Sequence, residues 1–166
     1  MMPMNTEPSA SSETTSQARP IHQEGRSAVD AFDPEELFYR RYSAVHVVSG
    51  QIMPQIIKFP KPSFTRSKFS RPEDVLHVDC CDGKQYVGWG VVEGKVSDLR
   101  VSAESGDKRK FVTSPRHVPE KTCYSHSELW CLCAPSLEDS KPSESAKEKI
   151  RILLSRALKV RIQATA

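Results

Sequence analysis

Between residues 31 and 136 the chain is a succession of short runs of β-branched and aromatic residues, each cut by Pro, Gly, Ser or Asp. AVHVV stops at Ser49-Gly50, KFVTS at Pro115 and SELWCLC at Pro135. Runs this short suit strands, and they leave no space for the long helices that alternate with a parallel sheet. The pattern predicts an α+β, β-rich fold over residues 31–136. It is a compact antiparallel sheet or partly open barrel of about six to seven short strands with one or two short helices.

The ends read differently. Residues 1–30 are rich in Ser, Thr, Glu, Gln and Pro without any hydrophobic period, which predicts a disordered N-terminal tail. Residues 137–144 read as a polar linker. Residues 145–163 read as a basic amphipathic C-terminal helix, opened by Ser145 and Glu148 as a capping box. Its apolar stripe is Ile150, Leu153, Leu154, Ala157 and Leu158, flanked by Lys147, Lys149, Arg151, Arg156, Lys159 and Arg161. Such a stripe serves docking on the domain, a protein partner, self-association or a membrane surface. The expectation is a protein partner or self-association through this helix. The net charge of +3 gathers there, whereas residues 1–30 are weakly acidic.

No apolar run approaches the roughly 18 residues of a membrane span, and the N-terminus has no apolar signal core. The five cysteines are an odd set that includes the adjacent Cys80 and Cys81. Free thiols in a reducing compartment follow, and with them a cytoplasmic location.

Local signals fill in the elements. Asp33, Pro34 and Glu36 predict a short helix over Pro34–Tyr42. Two strands are expected around Ser49-Gly50, the second weakened by Pro54. KFPKPSFTRSKFSR, residues 58–71, reads as an extended loop. Ser70 and Glu73 form a capping box for a short helical turn, and Asp82-Gly83 marks a turn. QYVGWGVVEG, KVSDLRV, KFVTS and SELWCLC read as strands, with a loop from Pro115 to Pro119.

Chemistry concentrates in RHVPEKTCYSHSELWCLC, Arg116–Cys133. By period two, Cys123, Ser125, Ser127, Leu129, Cys131 and Cys133 share one face, and Tyr124, His126, Glu128, Trp130 and Leu132 the other. His126 beside Glu128, with His117 and Arg116 just before, has the residue types for general acid–base cleavage of an anionic substrate. Structural zinc sites use paired ligands two to four residues apart, and only Cys123 and His126 have that spacing. No cofactor is expected; were zinc held, Cys123, His126 and Cys131 would carry it. Residues 58–71 interleave Lys58, Lys61, Arg66, Lys68 and Arg71 with Phe59, Phe64 and Phe69, the pairing of cations and aromatic platforms that single-strand binders use. Gly88 and Gly90 around Trp89 suggest a bulge, since no phosphate-loop or Gly-x-Ser-x-Gly pattern is present.

The order LFYRRYSAVHVV, KFSRPEDVL, VVEGKVSDLR, SPRHVPEKTCYSHSELW resembles a family of small bacterial proteins with no assigned activity. The resemblance implies that Arg40, Arg41, Ser70, His117, His126 and Glu128 line one surface. The reading that results is a small cytoplasmic binding or accessory module that works in a complex. One alternative is a hydrolase or nuclease-like enzyme using His126, Glu128, His117, Arg116, Arg40 and Arg41. The other is single-stranded nucleic-acid binding through residues 58–71.

Overall fold

The computed structural model describes residues 31–79 and 83–165. The expected N-terminal tail, and Cys80, Cys81 and Asp82, lie outside them. The strands are β1 (Leu37–Tyr42), β2 (Val47–Val48), β3 (Gln51–Ile52), β4 (Ser63–Arg66) and β5 (Gly90–Lys95), then β6 (Ser102–Glu104), β7 (Lys110–His117), β8 (His126–Ala134), β9 (Glu138–Asp139) and β10 (Lys159–Ile162). The helices are α1 (Val96–Leu99) and α2 (Glu144–Ala157).

Seven strands form one antiparallel sheet in the order β10-β5-β1-β4-β8-β7-β6, with β9 beside the end of β8. The sheet curls into a half-barrel, and the fold is α+β and strand-rich as the sequence implies. β2 and β3 make a separate hairpin around Ser49-Gly50, where both residues have positive φ. That is the twist a two-residue hairpin needs.

The helix expected over Pro34–Tyr42 is a strand. Its start signal acts locally: Asp33 Oδ1 accepts from the Glu35 N–H at 2.8 Å, and Asp33 O from the Glu36 N–H at 3.0 Å. The chain then extends, and every residue of β1 pairs with β5. Phe38 and Tyr42 are buried on one face and Tyr39 on the other, so aromatic burial on both sides overrides the capping signal.

The loop expected over residues 58–71 contains β4, a central strand between β1 and β8. Pro60 and Pro62 precede it, and within it Phe64 and Arg66 are buried. KVSDLRV begins with the helical turn α1 rather than a strand, because Val96 and Leu99, three apart, both enter the core. The expected loop at Pro115 is the end of β7. Pro115 pairs with Leu129, but β6 stops opposite Val112, so its missing N–H falls on an open side of the strand. The capping box expected at Ser70 and Glu73 lies one residue on: the Arg71 N–H donates to Asp74 Oδ2 at 2.7 Å, opening a 3-10 turn over Pro72–Leu76.

The C-terminal helix ends at Ala157, where residues 159–162 turn back as β10 beside β5. Ala146, Ile150 and Leu154 have no exposed surface and belong to the same buried core as Phe38, Phe64, Phe111 and Leu129. Ile150 and Leu154 each contribute about 1.5–3 kcal/mol when enclosed. Of the uses expected for the stripe, docking on the domain is the one the fold makes, with Leu153 left 37% exposed. Gly90 fixes the closing strand: a Cβ there would lie 2.3 Å from the Ile162 carbonyl and 2.5 Å from the Tyr42 ring. The Tyr42 hydroxyl accepts from the Ala164 N–H at 2.9 Å in the same place. Among the described residues, no helix is long and apolar enough to cross a membrane.

Candidate functional site

β1 and β4 pair only through Phe38 with Arg66 and Tyr39 with Thr65. Beyond Tyr39, β1 continues along β5, whereas the start of β4 lies along β8. Between the diverging strands is a cleft of about 390 Å³. Tyr39, Arg40 and Arg41 of β1, and Ser63, Phe64 and Thr65 of β4, line it. His46, Lys58, Glu120 and His126 reach it from flanking segments. Successive residues of a strand point to opposite faces. The divergence lets both Arg40 and Arg41 reach one space.

The two arginines are held by carbonyls, not by acids. Arg40 donates through Nε to the Ile56 carbonyl at 3.0 Å and through Nη1 to the Ser63 carbonyl at 2.6 Å. Arg41 donates through Nη1 to the carbonyls of Val75 at 2.9 Å and His77 at 3.3 Å, with its guanidinium 4.0 Å over the Tyr86 ring. Nη2 of each is left for another acceptor, and no carboxylate among the described residues pairs with either. Burial first, and then the charge of Arg41, pulls the Arg40 pKa down to about 10. His46 is lowered from its usual 6.5 by burial, then by Lys58 and Arg40. Its Nδ1, 3.3 Å from the Ser43 N–H, accepts from it, which leaves the proton on Nε2.

His126 stands on the wall of the same cleft. Its Nδ1 is 2.7 Å from the Val118 carbonyl, so that nitrogen carries the proton and Nε2 is the basic one. Nε2 lies 3.6 Å from Glu120, the single carboxylate in the lining among the described residues. The partner expected for His126 was Glu128. That carboxylate instead accepts from the Trp130 indole at 3.2 Å, and Lys61 sits 4.0 Å over the same indole. Arg116 pairs with Glu128 in register and lies 5.8 Å from the Trp130 ring. Neither Arg116 nor Glu128 lines the cleft.

His117 belongs to the opposite face of the sheet, buried 5.6 Å from Phe69 and 4.9 Å from Tyr124. Ser70 is buried with it and donates to Ser125 at 2.5 Å. Of the surface implied by the family resemblance, Arg40, Arg41 and His126 come together; Ser70, His117 and Glu128 do not join them.

The basic and aromatic segment is also divided. Phe64 and Phe69 are buried, and Phe59 packs partly against the core with Arg151 5.1 Å over its ring. Arg66 is enclosed against Glu36, and Arg71 pairs with Asp74 at 3.2 Å. Lys58 turns to the cleft, Lys61 to Trp130, and Lys68 lies 5.6 Å over Phe69. Stacking platforms are thus absent along residues 58–71, because the phenylalanines are needed inside.

Cys123 is disulfide-bonded, whereas Cys131 and Cys133 are free thiols. The expectation of free thiols throughout does not hold. Cys123, His126 and Cys131 do not converge, and among the described residues no three metal-binding side chains do. Burial, then Cys133 and Asp139, push the Cys131 thiol up to about 11.

Sequence reasoning missed His46 and Glu120 as neighbours of this site, and assigned Lys58 to another. A larger hollow of about 700 Å³ beside α2 carries Glu144 and Glu148 against Lys58 and Arg151, so its charges balance. Lys58 borders both spaces, and the cleft's own Arg40 and Arg41 face Glu120 alone among the described residues. No protein-family model, curated protein or solved structure matches the chain.

Proposed function

We propose that this protein is a binding module that holds a small molecule by an anionic group, phosphate or carboxylate, in the cleft between β1 and β4. The observation that carries it is Arg40. A half-buried guanidinium with no acid beside it keeps charge and donors for a ligand. Here two carbonyls take part of its hydrogen-bonding capacity, and Arg41 and Lys58 add to the charge rather than offset it. An oxyanion supplies what is missing, and the two Nη2 groups suit its oxygens. A volume of about 390 Å³ falls at the small end of ligand pockets.

Thermal unfolding in sodium phosphate against sodium chloride at matched ionic strength tests the reading. A ligand that binds only the folded state raises Tm. Phosphate raises the wild-type Tm, and Arg40→Met loses the increment whatever its own Tm. An absent increment, or an equal one in Arg40→Met, overturns the proposal.

Hydrolysis is the second reading, favoured by the basic His126 Nε2 on the wall of a cation-lined cleft. Glu120, rather than Glu128, is then the carboxylate near the imidazole. Phosphomonoester hydrolysis by the wild type and not by His126→Asn supports it; no turnover, or equal turnover, removes it.

A further inference from the structure

The cleft has a second chemical character at its mouth. Trp89 lines it while 36% exposed, and Val78, 46% exposed, lines it as well. Together they place an apolar edge beside the polar cleft, and an indole offers a flat face for a ring to stack on. The indole is braced rather than loose: it meets Tyr86 edge-on at 5.4 Å, and Tyr86 in turn lies under Arg41 at 4.0 Å. Trp89 Nε1–H donates to no group among the described residues. The chain around it is tied down by the Thr165 N–H, which donates to Gly88 O at 2.9 Å, and by the close approach at Gly90. A fixed aromatic edge thus continues directly into the fixed cationic floor.

We infer that the ligand joins a phosphate to a planar heteroaromatic ring, a nucleoside monophosphate, with the phosphate on Arg40 and Arg41 and the base against Trp89. This rests on the anion-binding reading above. Stacking on an indole is tolerant of base identity, because every base has a π-face. The cleft is too small for more than about one nucleotide unit. The free monophosphate and the 5′-phosphorylated end of an oligonucleotide share this chemistry.

Trp130 lies with Glu128 and Lys61 outside the cleft, so Trp130→Phe leaves Trp89 as the sole indole reporter. Fluorescence titrations of that variant use AMP, adenosine, ribose 5-phosphate and a 5′-phosphorylated dinucleotide. AMP is expected to quench Trp89 and to bind roughly tenfold or more tightly than ribose 5-phosphate, since one base stack supplies that factor. Adding Trp89→Ala removes the advantage of AMP while ribose 5-phosphate still binds, read by calorimetry. Equal affinity of AMP and ribose 5-phosphate overturns the inference and leaves the anion site standing. Adenosine binding as well as AMP, or no binding by any of the four, overturns the anion site too. A dinucleotide that binds as well as AMP assigns the site to strand ends; one that binds far more weakly assigns it to the free nucleotide.

Discussion

Arg66 meets both carboxylate oxygens of Glu36 at 3.0 Å, and both side chains are shut away from water. Phe32 covers the guanidinium at 4.1 Å, and the Ala31 carbonyl accepts from Nη2 at 3.1 Å. The pair joins the centre of the sheet to the segment that leads into β1. Removing one partner strands the other charge in the interior. Glu36→Ala is expected to cost about 3–5 kcal/mol, because the loss is the penalty of an unaccompanied ion. Urea unfolding reads it as a fall in midpoint at unchanged slope.

The docked helix makes an opposite expectation to that of a free tail. Leu154→Ala should destabilise by about 2–5 kcal/mol, the range for an enclosed leucine. Leu153→Ala, on a residue 37% exposed, should cost far less. Equal losses at the two positions contradict the packing of α2, and urea midpoints decide it.

Gly90 is replaceable only at the expense of β10. A methyl group there meets backbone on one side and the Tyr42 ring on another, none of it the flexible end of a side chain. Gly90→Ala is expected to cost about 1–3 kcal/mol as overpacking, with faster amide exchange in residues 159–162 as the local signature.

Acid should tighten the anion site. His46 titrates below 6.5 in the folded protein because burial, Lys58 and Arg40 all disfavour its charge. Its contribution to stability is complete above about 6.5 and declines as pH falls toward the folded value. A bound anion offsets Lys58 and Arg40 and draws a proton onto His46. Sulfate, whose own charge is constant in this range, should bind several-fold more tightly at pH 6 than at pH 8. Calorimetry measures it, and His46→Asn should flatten the dependence.

Cys131 should be inert. A thiol pushed up to about 11 stays protonated at pH 8, and the thiolate is the nucleophile. Iodoacetamide is expected to label it only after unfolding, which peptide mass spectrometry reads directly.

Some of this was legible in the residues and some was not, for physical reasons. The two-residue alternation of SELWCLC, the Ser49-Gly50 turn and the stripe on α2 are local patterns, and each survives folding. LFYRRY carries a helix-start signal just ahead of it and aromatic residues within it, and tertiary burial decided between them. SFTR looked like loop because of its prolines, yet those prolines end where the strand begins. The cleft was harder. It exists because β1 and β4 part after two paired residues each, and a divergence of strands leaves no mark in the sequence of either. Arg40 and Arg41 entered through a resemblance, and nothing near His46 or Glu120 in the chain points to them.

The order of strands has a consequence for synthesis. β1, the first strand of the sheet, is an interior strand, with β5 and β4 on its flanks and α2 and β10 added from far along the chain. A nascent chain that has emerged only to β8 lacks β10 at the sheet edge and the α2 residues that complete the core around Phe38, Phe64 and Phe111. Contacts of such sequence separation form slowly. Until residues 144–162 leave the ribosome, that apolar face is a surface for chaperones, and a ribosome stalled just before it should yield a chain that binds them.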